Sequence, residues 1–289
     1  MKNSNILKLV WRAISLILTI SVFYFAYKYV TGLINNGELN GLTLRWDLLV
    51  VAGIIFFISY LVFALHWLKV GKTIDKTVNN KQLVAFFASQ PYKYLPTSFF
   101  TFSFRAKYAH DVGMTLKNSS LAQLVENVNR ILSGFLVGAL FYSFEKSIGA
   151  FLILILSLLV AYILIPNRVH VKFRKKEKYF AKVELGINFL LACVAWIITG
   201  VAFWLVGHSL GFSPQLYVFV AANAVANVIG TIALFAPGGI GVRELVLIFF
   251  QVANPIIVVW RLVTFVCDMV FGFAAVLLLK YSPKSPPGR

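Results

Sequence analysis

The chain has 289 residues, of which 60% are hydrophobic and only 13% are charged, and its mean hydropathy is +0.82. An average soluble domain is about half apolar and about a quarter charged, so this composition excludes an ordinary soluble globular protein and favours several membrane spans. The net charge of +17 raises the question of nucleic-acid binding. However, the Lys and Arg residues lie mostly between apolar runs, as expected for the cytoplasmic loops of a membrane protein, so no nucleic-acid partner is expected.

The first apolar run, residues 9–30, begins with the basic residues of a signal peptide but is not followed by a small-residue cleavage site. We therefore interpret it as a retained span, and residues 47–68 as the second span. Residues 83–104 are apolar but are broken by Pro91 and Pro96. This pattern favours a hairpin that enters the membrane and returns, surrounded by protein.

The remaining long, uninterrupted apolar runs each predict a span: residues 121–144, 148–165, 185–206 and 255–279. A dense cluster of Lys and Arg separates two of them, at residues 168–182. Residues 216–250 are apolar but are broken by Pro-Gly-Gly-Ile-Gly at 237–241, which predicts a second hairpin. The tail, residues 282–289, has three prolines and is predicted to be disordered.

The orientation follows from the basic clusters. If both broken segments return to their own side, the Lys/Arg clusters and both termini lie in the cytoplasm, as the positive-inside rule requires. We therefore predict an all-α polytopic protein of the cell membrane, with about six spans and two opposed re-entrant hairpins in one domain, residues 1–281. If each broken segment instead crossed as one full span, both termini would still lie inside but the basic residues 105–117 would lie outside. A second alternative has the broken segments as two-helix hairpins that cross the membrane fully, which gives eight hydrophobic segments.

The two broken segments occupy matching places in two halves of the chain, roughly 47–165 and 184–281. An arginine follows the proline break of each segment, Arg105 after Pro96 and Arg243 after Pro237, and the next span carries Arg130 in one half and Arg261 in the other. Inverted halves with paired Pro/Gly-interrupted segments are typical of transporters whose site lies near the membrane midplane.

Several charged residues lie within or beside apolar segments, where exposure to lipid would cost about 2.5–3.5 kcal/mol each. They are Glu126, Arg130, Arg243, Glu244, Arg261 and Asp268. Helical spacing places polar residues on one face of each of three helices: Gln123, Glu126, Asn127 and Arg130; Asn223, Asn227 and Thr231; Arg261, Thr264 and Asp268. We expect the three stripes to face a common interior. Internal ion pairs, Glu126 with Arg130 or Arg243 with Glu244, are the alternative interpretation.

The glycine-rich break at residues 237–241 is a second indication of a binding site inside the membrane. Gly238, Gly239 and Gly241 permit backbone turns that other residues cannot make, and the following helix start favours an anion such as a lipid phosphate. The predicted substrate-binding residues are Arg243, Glu244, Gly238, Gly239, Gly241, Arg261, Asp268, Arg105, Glu126, Arg130 and Asn227. The histidines and cysteines lack metal-ligand spacing, and we expect neither a metal nor another cofactor.

Residues 237–244, Pro-Gly-Gly-Ile-Gly-Val-Arg-Glu, resemble the hallmark PGG-(I/L)-G-x-R-E of the lysylphosphatidylglycerol synthase transmembrane, or flippase-like, domain family. Tyr94-Leu95-Pro96 with Arg105 and the Glu126…Arg130 pair resemble a second element, and Arg261 a third. The sequence departs from the family at residues 96–98, Pro-Thr-Ser, where members often have Pro-Gly. Fused members continue into a cytoplasmic aminoacyltransferase domain, whereas only nine residues follow Lys280 here.

The resemblance therefore implies the flipping activity without lysyl transfer. The expected function is a non-enzymatic flippase that moves an anionic or aminoacylated phospholipid, or a polyprenyl-phosphate lipid, with Arg243 and Arg261 holding the phosphate. Two alternatives are a membrane-embedded lipid-modifying transferase that uses Glu126 or Asp268 as a base, and an accessory subunit of a lipid or glycan synthesis complex. The expected partners are the lipid and, in the last case, a glycosyltransferase or lipid synthase.

Overall fold

The computed structural model describes residues 44–76, 78–95, 99–149, 168–173, 176–233 and 236–281, together with residues 28, 31, 32, 35, 37 and 152. The predicted span 9–30, most of the predicted span 148–165, the tail 282–289 and Pro96 lie outside the described residues.

The described elements of the first half are α1 (Trp46–Ile74), α2 (Gln82–Ala88), a 3₁₀ turn (Gln90–Tyr94), α3 (Phe99–Asp111) and α4 (Leu116–Lys146). A two-stranded antiparallel hairpin follows, with β1 (Arg168–Phe173) paired to β2 (Lys176–Ala181) from Arg168 opposite Ala181 to Phe173 opposite Lys176. The second half contains α5 (Lys182–Ser209), α6 (Leu216–Ile232), a 3₁₀ turn (Pro237–Gly239), α7 (Val242–Phe249) and α8 (Asn254–Tyr281). The strands lie in the basic segment that was predicted only as a loop.

Among the described residues, four helices are long and apolar enough to cross a membrane. They are α1, the Leu116–Phe144 part of α4, the Glu184–Ser209 part of α5, and α8. They contain the predicted spans 47–68, 121–144, 185–206 and 255–279. The chain is thus an α-helical membrane protein, as its composition predicted.

The outward faces of the long helices are apolar. On α8, Leu262, Val266 and Val270 follow one another at four-residue spacing and are each more than half exposed. On α1, Val50 and Ile54 are exposed in the same way. A soluble protein would bury such stripes, whereas lipid solvates them, so the polar side chains of these helices turn inward.

Both Pro/Gly-broken segments, which were predicted as re-entrant hairpins, are interrupted helices. The first stops at Ala88, continues as a 3₁₀ turn with Pro91 in its first positions, and resumes as α3. The second stops at Ile232 and resumes at Val242 after the Pro-Gly-Gly turn. Gly238 and Gly239 have φ values of 58° and 69°, a left-handed conformation that glycine adopts without steric cost.

The helices pack in a regular pattern around the interrupted segments. The most extensive helix packing joins α1 to α5, while α4 packs against α6 and α2 packs against α8. Small residues allow close approach: a Cβ atom at Gly200 on α5 would lie 2.6 Å from the Cα atom of Val220 on α6. The four long helices therefore form a frame that holds the two interrupted segments side by side.

A candidate anion-binding cavity between the interrupted helices

A cavity of about 120 Å³ lies at the centre of the bundle, bordered by both 3₁₀ turns and by all the described helices except α2. The three predicted polar stripes meet here: Gln123, Asn127 and Arg130 of α4; Asn223, Asn227 and Thr231 of α6; Arg261 and Thr264 of α8. Aromatic side chains, including Phe63 and Trp196, complete the wall. The helical spacing in the sequence thus identified the lining of a real internal space.

The cavity is strongly cationic. Five basic side chains line it: Lys93, Arg105, Arg130, Arg243 and Arg261. Three carboxylates pair with members of this set and do not themselves line the cavity: Glu126, Glu244 and Asp268. The cluster therefore has two more positive than negative charges, and its basic side chains, but not its carboxylates, line the cavity.

Two arginines share Glu126, which is fully buried. The Nη1 atom of Arg105 on α3 lies 2.7 Å from Oε2 of Glu126, and Nη1 of Arg130 lies 3.4 Å from Oε1. Arg105 also donates from Nε to the hydroxyl of Ser89 at 2.9 Å. The predicted Glu126–Arg130 pair is present, but the shorter pair is with Arg105, which comes from the interrupted segment.

Asp268 on α8 is also fully buried and holds the first 3₁₀ turn. Its Oδ2 atom lies 2.5 Å from Nζ of Lys93 and accepts a hydrogen bond of 2.7 Å from the hydroxyl of Tyr94. Lys93 donates in addition to the hydroxyl of Tyr60 at 2.9 Å. Lys93, Tyr94 and Tyr60 were not among the predicted site residues. Asp268 therefore positions Lys93 and Tyr94 and does not itself line the cavity.

Glu244 pairs with Arg261, whose Nε atom lies 2.7 Å from its Oε1 atom. Arg261 also donates to the carbonyl oxygen of Gly238 at 3.3 Å. The Arg243–Glu244 pair, considered as an alternative from the sequence, does not form. Neighbouring residues on a helix point in different directions, so Glu244 meets α8 while Arg243 points into the cavity.

Arg243 makes no hydrogen bond or ion pair with any described side chain, and its buried Nε atom has no acceptor there. Two glycines make room for it: a Cβ atom at Gly230 or at Gly239 would lie 2.6 Å from this Nε atom. Among the described residues, three other buried donors of the lining also lack a partner: Nε of Arg130, Nδ2 of Asn223 and the hydroxyl of Thr101. All four donors border one cavity, so the lining suits a ligand that accepts hydrogen bonds.

The two 3₁₀ turns meet at the cavity. A Cβ atom at Gly238 would lie 3.3 Å from the Tyr94 ring and 3.5 Å from the carbonyl oxygen of Lys93. Gly238 and Gly239 line the cavity, as does Asn227. Gly241 differs from the other predicted glycines, because it precedes α7 with a φ of 84°, is exposed, and does not line the cavity.

The fold and the cavity define an α-helical membrane protein with an internal cationic cavity. No family model matches the sequence, and none of the curated proteins compared with it shows significant similarity. Within the described part of the chain, no group of three or more His, Cys, Asp and Glu side chains is placed to hold a metal ion.

Proposed function

We propose that the chain is a flippase-like lipid transporter, in which the cavity carries the headgroup of an anionic lipid while the lipid tails stay in the bilayer. The observation that carries the proposal is the excess of two positive charges among the described residues of the cavity, where Arg243 has no partner, inside a bundle with an apolar exterior. Unpaired charge away from water is costly unless a ligand of opposite sign compensates it. An anionic headgroup would supply that compensation.

The packing of the helices supports an inverted-repeat transporter. Helices α1, α2, α3 and α4 can be matched in order with α5, α6, α7 and α8. With this matching, every packed helix pair of the described elements has a packed counterpart. The matched pairs are α1/α2 with α5/α6, α2/α3 with α6/α7, α3/α4 with α7/α8, α4/α6 with α8/α2, α4/α5 with α8/α1, and α1/α4 with α5/α8. The α1–α5 contact is its own counterpart. In this proposal the interrupted segments are opposed re-entrant hairpins among six spans, and both termini lie in the cytoplasm.

The motif at residues 237–244 supports membership of the flippase-like domain family. Its Gly239 makes room for Arg243, its Gly238 carbonyl accepts a hydrogen bond from Arg261, and its Glu244 pairs with Arg261. Each of these positions thus serves the cationic site. The alternative of a lipid-modifying transferase is less well supported, because Glu126 and Asp268, the carboxylates offered as a base, are fully buried in ion pairs.

Reconstitution of the purified protein in vesicles tests the proposal. Fluorescent phosphate lipids should exchange between leaflets faster with the protein than in protein-free vesicles. Arg243→Ala should remove this activity, and Arg243→Lys should retain part of it because it keeps the charge but loses the bidentate fork.

Arg45→Ala is the matched control, because Arg45 pairs with Asp47 at an exposed site where both side chains are about 60% accessible. It should transport like the wild type. Exchange at the protein-free rate, or equal activity of Arg243→Ala and the wild type, would reject the proposed function.

A further inference from the structure

The two excess charges of the cavity lie in different halves of the chain. In the first half, Arg105 and Arg130 share the single carboxylate of Glu126. Of the other basic side chains of the cavity, Lys93 is paired with Asp268 and Arg261 with Glu244, whereas Arg243 has no partner among the described residues. One uncompensated positive charge therefore comes from the α3–α4 side and one from α7.

The unsatisfied donors follow the same division. Nε of Arg130 and the hydroxyl of Thr101 in the first half, and Nε of Arg243 and Nδ2 of Asn223 in the second half, are buried and lack a partner among the described residues. Each borders the cavity. A ligand that fills this space must bring acceptor atoms to residues of both halves, because a buried donor without an acceptor costs about 1–3 kcal/mol.

We propose that the headgroup is a dianionic phosphate, that is, a lipid phosphomonoester or diphosphate, held between Arg243 and the Arg105–Glu126–Arg130 triad. This inference rests on the proposed transport function and narrows its substrate. A phosphodiester lipid with one negative charge leaves one cation uncompensated. An aminoacylated headgroup brings an ammonium group toward a surplus of arginine, which opposes binding.

Ligand binding to the full-length protein in detergent tests the charge requirement separately from transport. Thermal stabilisation is measured with farnesyl phosphate, farnesyl diphosphate, phosphatidylglycerol, lysyl-phosphatidylglycerol and uncharged farnesol. The affinity for the two farnesyl phosphates should be at least about ten times the affinity for phosphatidylglycerol, as expected for one additional charge-assisted contact. Inorganic phosphate and pyrophosphate distinguish a free anion from a lipid headgroup, and should bind more weakly than their farnesyl esters.

Arg243→Gln and Arg130→Gln each remove one charge of the cavity, from different halves of the chain. Each should weaken binding of the dianionic lipids by about tenfold or more, while phosphatidylglycerol binding changes less. Arg243→Gln should leave the ligand-free melting temperature unchanged or raise it, because it removes a partly buried charge that has no partner among the described residues. The exposed Arg45→Gln should change neither property.

The outcomes separate the two claims. The dianion inference is overturned if the wild type binds phosphatidylglycerol or lysyl-phosphatidylglycerol as tightly as the two farnesyl phosphates, or more tightly. It is also overturned if inorganic pyrophosphate stabilises the protein as much as farnesyl diphosphate does. Vesicle exchange of phosphatidylglycerol without exchange of farnesyl phosphate overturns it also, but leaves transport intact. Selective dianion binding with no lipid exchange supports this inference and rejects the transport function.

Discussion

Gly230 tests the position of Arg243 without altering any charge. It lies on α6 beneath the Arg243 side chain, and an alanine Cβ atom there would lie 2.5 Å from Cγ and 2.6 Å from Nε of Arg243. Carbon atoms in ordinary contact are about 3.5–4.0 Å apart, so the arginine would have to move by about 1 Å. The side chain is flexible, so it would move rather than break α6.

Gly230→Ala is expected to weaken lipid binding rather than to lower the stability of the fold. Loss of one charge-assisted hydrogen bond is worth about 1.5–3 kcal/mol, which corresponds to about a tenfold to hundredfold loss of affinity. Apart from this contact, a Gly→Ala change in a helix interior stabilises by about 0.5–1 kcal/mol. Gly230→Ala should therefore fold normally and still bind and move phosphate lipids poorly.

The assay compares Gly230→Ala with Gly53→Ala, a helical glycine on α1 with nothing within 4 Å of the added Cβ atom. Lipid exchange in vesicles and thermal unfolding in detergent are measured for both. Gly53→Ala should match or exceed the wild type in stability and retain full exchange. If Gly230→Ala also retains full exchange, the placement of Arg243 as the headgroup ligand is refuted.

Three further predictions concern the ion pairs and the orientation. Glu126→Gln leaves two arginines without their shared carboxylate and should cost about 3–5 kcal/mol of stability; an unchanged unfolding midpoint in detergent would contradict the buried triad. Glu244→Gln and Arg261→Gln should each lower the free energy of unfolding. The double variant should lose about 1 kcal/mol less of this free energy than the two single losses added together, whereas strictly additive losses would argue against the Glu244–Arg261 ion pair. A Lys175→Cys variant should resist an impermeant thiol reagent in intact cells, unlike in lysed cells, and labelling of intact cells would contradict the cytoplasmic placement.

The sequence predicted the long helices and the polar lining because both depend on local spacing. Apolar length determines which segments can cross a membrane, and the i, i+3, i+4, i+7 order of Gln123, Glu126, Asn127 and Arg130 determines that they share a face. The breaks near Pro91 and at residues 237–241 follow from the backbone preferences of proline and glycine.

The partners of the buried charges could not be predicted in this way. Asp268 binds Lys93 from the opposite half of the chain, and Glu126 prefers Arg105 to its helical neighbour Arg130. Such pairs depend on how helices pack, which local spacing does not encode. Proximity in sequence was misleading for Glu244, because it lies beside Arg243 along the chain but faces Arg261 across the helix interface.

Mapping the headgroup by photo-crosslinking tests the central claim most directly. A phosphate lipid with a photoreactive group beside its phosphate is added to the purified protein, and the labelled peptides are identified by mass spectrometry. We predict labelling of residues that border the cavity, such as Asn223, Asn227 and Thr264, and loss of that labelling in Arg243→Ala. Labelling confined to the outward apolar faces, such as Leu262 and Val266, would contradict a headgroup site inside the bundle.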